Sequence, residues 1–64
     1  MTIYEEAIVD EVSFVKASID AMMFAVELFI KKSSDIVKVQ KSKQILASLK
    51  KLKDYFKKLE DFYR

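Results

Sequence analysis

Seven apolar residues of the N-terminal half, Ile8, Val12, Val15, Ile19, Met22, Val26 and Phe29, recur at alternating spacings of four and three. That alternation is the seam of a helix packed lengthwise against another helix. A second seam runs through Ile45, Leu49, Leu52, Phe56, Leu59 and Tyr63, but in a different phase. Extending the first heptad through the middle of the chain puts Ser33, Gln40, Lys43 and Lys50 on the seam. The second seam lies two residues away, about 200° round at roughly 100° per residue. One continuous helix would therefore carry its apolar stripes on opposite sides, whereas a reversal between them lets the stripes face each other.

The reversal has to be made without the usual residues, because the chain has no Gly and no Pro. The segment Lys31-Lys32-Ser33-Ser34-Asp35 is the one stretch suited to it. Lys31 and Lys32 complement the negative end of a first helix. Ser33 or Ser34 can cap a second helix, with Asp35 in its first turn. At the other end, Thr2 followed by Glu5 forms a capping box that starts the first helix. The reading is a single domain over residues 1–64: helix 1 over about 3–31, a turn at about 32–34 and helix 2 over about 35–63. The fold class is all-α, an antiparallel helical hairpin that dimerises into a four-helix bundle.

Dimerisation is expected because helix 1 has more apolar surface than one neighbour can cover. Ala7, Phe14, Ala21 and Leu28 form a second line at spacing seven, flanked by Ala17 and Phe24, while Val9, Met23 and Ile30 widen the first. Only Glu6, Ser13, Asp20 and Glu27 keep a polar line. A helix apolar over most of its circumference is normally buried on several sides. Phe14, Ala17, Ala21, Phe24 and Leu28 are the expected dimer interface, with a groove for a different protein as the other reading. A chain this short is also near the size where one core is marginal, and it has no Cys or His to supply a disulfide or the usual zinc ligands.

Charge is divided unevenly, net −5 over residues 1–30 and net +7 over residues 31–64. Lys43, Lys50, Lys57 and Arg64 recur every seven residues with Lys51 and Lys58 beside them, a basic ridge that could track phosphates or an anionic surface. As a solvated outer face it would be diluted by Asp54 and Asp61, four residues after Lys50 and Lys57, and by Glu60, four before Arg64. Tyr55, Phe56, Phe62 and Tyr63 interleave with these lysines, but their spacing suits an aromatic plug against Ile3 and Tyr4.

No nucleophile and base pair, glycine-rich loop or metal motif is present, so the chain is read as non-enzymatic, with no cofactor and no metal. The apolar run over residues 21–30 is about half a bilayer span. The N-terminus is acidic where a secretory signal would be basic, which points to the cytoplasm. Asn is absent while Lys, Glu and Ile abound, a bias shared with heat-adapted proteins.

In outline, two equal helices with a short turn, carrying Phe14 on helix 1, resemble the Rop family of plasmid RNA-binding proteins, which implies a dimeric bundle. That family presents basic and amide side chains beside its Phe, where this chain has Glu6, Ser13, Asp20 and Glu27. Small hairpin adaptors of archaeal viruses and plasmids share the outline. The expected function is a homodimeric adaptor or regulatory protein-interaction module, and the alternative is a nucleic-acid-binding regulator using the helix 2 ridge.

Overall fold

The computed structural model describes residues 1–64 as two antiparallel helices, α1 (Ile3–Lys32) and α2 (Ile36–Tyr63), packed along their length. The molecule measures 50 × 15 × 11 Å. It is one layer of helices thick, so each helix has a neighbour on one side and solvent on the rest.

The start of α1 follows from its first four residues. The Glu5 backbone N–H donates to Thr2 Oγ1 at 3.1 Å, and the Thr2 N–H donates to Glu5 Oε1 at 2.9 Å. Two donors that the first turn leaves without helical partners are thereby satisfied reciprocally. At the far end, the Ser33 N–H still reaches the Phe29 carbonyl at 2.9 Å, but Ser33 itself is extended at ψ 143°.

Capping of α2 differs from the sequence expectation. The cap is Asp35, not a serine: its carboxylate accepts from the Lys38 N–H at 3.1 Å. Ser33 has another part, its Oγ accepting from the Asp35 N–H at 3.1 Å and closing the turn. An ionised carboxylate at a helix N-terminus is favoured by the dipole as well as by the hydrogen bond, which gives aspartate the advantage over serine. No residue of the chain has positive φ, so the reversal needs no glycine.

Three apolar residues, Val9, Val12 and Ile19, are buried, and Ile19 is 1% exposed. Around them Ile8, Val15, Met23, Val26 and Ile30 of α1, and Val39, Leu46, Leu49, Phe56 and Leu59 of α2, are half-buried. The contact line therefore departs from the expected seams by one residue at several places. On α1, Met23 and Ile30 turn inward where Met22 and Phe29 were expected. On α2, Leu46 and Lys53 turn inward where Ile45 and Leu52 were expected.

Candidate interaction surfaces

The one-residue displacement determines what the hairpin shows to solvent. On α1, Ile8, Val15, Met22 and Phe29 each immediately precede a residue of the contact line: Val9, Lys16, Met23 and Ile30. On α2, Ile45, Leu52 and Leu59 precede Leu46, Lys53 and Glu60. A shift of one residue toward the N-terminus rotates about 100° in the same sense around each helix. Because the helices run in opposite directions, both rotations lead to the same broad face. That face carries an apolar strip that spans both helices, edged by Glu11, Lys38 and Lys41. Met22, Phe29, Ile45 and Leu52 are each at least 40% exposed on it. Near the turn it dips into a groove of about 420 Å³ between the helices, lined by Ala25, Val26 and Phe29 on one side and Val37, Lys38 and Lys41 on the other.

A shift of one residue toward the C-terminus reaches the opposite face, which is mostly polar, with Ala17, Phe24 and Ala47 as its apolar positions. Glu6, Ser13, Asp20 and Glu27 follow the contact residues of α1, and Lys43, Lys50, Lys57 and Arg64 follow those of α2. The basic ridge thus shares its face with the acidic line of α1. Asp20 Oδ1 forms an ion pair with Lys53 Nζ at 2.6 Å across the helices. Glu60, 6% exposed, accepts from Ser13 Oγ at 2.7 Å through Oε2 and from Lys16 Nζ at 3.3 Å through Oε1, with Arg64 at 3.6 Å. The Ser13 hydrogen bond is the main reason its carboxyl lies below the usual carboxylate value; burial opposes this, and Lys16 and Arg64 reinforce it. Glu5 is also lowered, chiefly by the backbone hydrogen bond from Thr2. The Ser13–Glu60–Lys16 cluster was not foreseen from sequence, where Glu60 stood only as a local partner of Arg64.

The ridge lysines stand in solvent, and the aromatic expectation is corrected by the geometry. Lys50 and Lys57 form no ion pair with Asp54 or Asp61; the three pairs of the molecule are Lys16–Glu60, Lys53–Asp20 and Arg64–Glu60. Lys43, Lys50, Lys51, Lys57 and Lys58 are all exposed without an ionic partner. The aromatic plug is open. Tyr55 stacks edge-on to its neighbour Phe56 at 5.6 Å and Phe62 to Tyr63 at 5.0 Å, yet Tyr4 and Phe62 remain about four-fifths exposed.

A third surface is the outer stripe of α1. Phe14, Ala17, Ala21, Phe24 and Leu28 all lie exposed on the side of α1 turned away from α2, Phe14 at 70%. No group of acidic residues is arranged to hold a metal ion. No helix is long and apolar enough to cross a membrane. Comparison with protein-family models, with curated proteins and with solved structures finds no match.

Proposed function

We propose that this chain is a non-enzymatic interaction module, a homodimeric helical adaptor or regulator whose subunits join into a four-helix bundle. The observation that carries this reading is the imbalance of apolar surface: three apolar residues are buried while fourteen large hydrophobics stand exposed. Exposed apolar patches of that extent mark surfaces that other proteins cover. Total surface points the same way, 5178 Å² against roughly 4,200 Å² for a compact monomer of this mass.

Two separate apolar surfaces make an adaptor rather than a simple dimer. The face spanning both helices and the outer stripe of α1 point in different directions, so one can receive a second copy while the other receives a partner helix. Sedimentation is expected to give about twice the 7.5 kDa chain mass. A well-folded monomer at micromolar concentration would reject the homodimer.

The lysine ridge supports a second reading, nucleic-acid binding, through its five unpaired lysines. Against that reading, the acidic line of α1 lies on the same face and weakens its field. The expected binding to duplex DNA is weak and steeply salt-dependent, with a log–log slope near −0.9 per phosphate contacted. Tight binding at physiological salt, lost in a Lys50→Glu, Lys57→Glu variant of unchanged helicity, would make nucleic acid the leading partner.

A further inference from the structure

Resting on the homodimer reading, we infer that the second copy covers the apolar face spanning both helices, not the outer stripe of α1, and lies with its turn at the opposite end. Four observations lead to this arrangement.

The first is register. The pairs Asp20–Lys53 and Ser13–Glu60 set which residues of α1 and α2 lie at the same level. By that register Met22 is level with Leu52, Val15 with Leu59 and Phe29 with Ile45, each to within one residue. The apolar residues of the face therefore form three rungs across both helices, and a bundle core is built from such layers.

Volume is the second. A two-fold axis crossing the face at the Met22–Leu52 rung, perpendicular to the helices, stacks α1 on α1 and α2 on α2 of the second copy. Val15 then meets Phe29 of the other chain and Leu59 meets Ile45, so both outer layers hold the same four residues. With the turns at one end, a layer of two Phe and two Ile would stand at one end and a layer of two Val and two Leu at the other. Interiors pack at nearly uniform density, which the alternating arrangement meets without splaying the helices.

Third is charge. The turn end, residues 25–48, carries net +3, and the open end, residues 1–14 and 57–64, carries net −3. Opposed turns bring the positive end of each copy onto the negative end of the other, whereas aligned turns stack like charges. At the rim, Glu11 of one copy comes level with Lys32 of the other, and both are exposed in the hairpin.

Area is the fourth. Two separate hairpins expose about twice 5178 Å². A compact particle of double the mass exposes roughly 7,000 Å², leaving ~3,000 Å² to bury, above the ~1,200–2,000 Å² of a standard stable interface. The outer stripe is one helix wide and offers no second row of rungs.

The chain has no cysteine, so single cysteines can serve as reporters. Copies bearing Glu11→Cys are mixed with copies bearing Lys32→Cys and treated with a short bis-maleimide, with sedimentation run alongside. The expected result is a covalent dimer from the mixture and little from Glu11→Cys alone, since two Glu11 residues would stand ~33 Å apart along the bundle at 1.5 Å per residue. Linkage of Glu11→Cys to Phe62→Cys would overturn the orientation by showing aligned turns. Linkage within Ala21→Cys copies together with none within Leu52→Cys copies would overturn the choice of face in favour of the outer stripe, because only the proposed face brings the two α2 helices together. A dimer mass with no linkage would reject this face and leave the dimer standing. A monomer mass would reject the dimer itself.

Discussion

On one broad side of the hairpin Asp20 meets Lys53, and Ser13 and Lys16 meet Glu60; on the other Met22, Phe29, Ile45 and Leu52 lie open. Both sides flank the same contact line and differ only in which neighbour of each contact residue they display. The polar side is satisfied within one chain: none of its buried polar atoms lacks a partner. The apolar side cannot be satisfied within one chain, because its rungs have nothing above them. The proposed dimer would put association on the side opposite the cross-helix polar contacts, and substitutions should separate the two.

The largest effect should come from Leu52→Glu. It places a charge at the middle rung twice per dimer and is expected to weaken self-association by roughly 100-fold or more, since burying an unpaired charge costs several kcal/mol. Helicity at high concentration should change little; sedimentation and circular dichroism together check both halves of this expectation. Undiminished association of the Leu52→Glu variant would mean that the apolar side is not the contact.

Ile19→Ala sharpens the comparison from the contact line itself. Ile19 is the most enclosed side chain of the molecule, so its truncation should cost about 2–5 kcal/mol, measured by denaturant unfolding. Both sides should fail together, because both are positioned by this line.

Smaller still is Asp35→Ala, expected to cost ~1 kcal/mol through loss of the α2 cap. Asp35→Asn should recover most of that loss, since the amide oxygen can still accept from the Lys38 N–H.

Acid should act through Glu60 on the polar side and, at the start of α1, through Glu5. Glu60 titrates below its ordinary value in the folded chain, so its contribution is complete above the unfolded value near 4.5 and is lost as pH falls through the lower folded value. Thermal melts between about pH 3 and pH 7 should show a weaker acid decline in Glu60→Gln than in the parent. An identical acid limb in both would remove Glu60 from the pH response.

Helix number, the place of the reversal and the Thr2–Glu5 capping box were legible in the sequence because each is local. Periodicity located the apolar stripes, and the phase conflict between them required a turn. The stripes were broad, however, and periodicity could not say which edge of each met the other helix. That choice depends on Lys53 and Glu60, which lie along the contact line on long stems while their heads reach Asp20, Ser13 and Lys16. Glu60 and Ser13 are 47 residues apart, beyond the reach of any local pattern. Asp35 displaced the serines as cap through a difference of charge, legible in principle from the helix dipole.

The glycine-free turn also bears on how the hairpin assembles. With a single reversal at residues 33–35, every cross-helix contact encloses a loop through that point, and loops lengthen steadily toward the open end. Closing a short loop costs less entropy than closing a long one, so pairing starts beside Asp35 and proceeds outward like a zipper. Ser13 and Glu60, joined across the longest loop of any cross-helix hydrogen bond, lock last. Loop entropy favours the turn end while the buried Val9 and Val12 favour the other, so amide hydrogen exchange in an isolated chain should be slowest in the middle turns of α1 around Ile19.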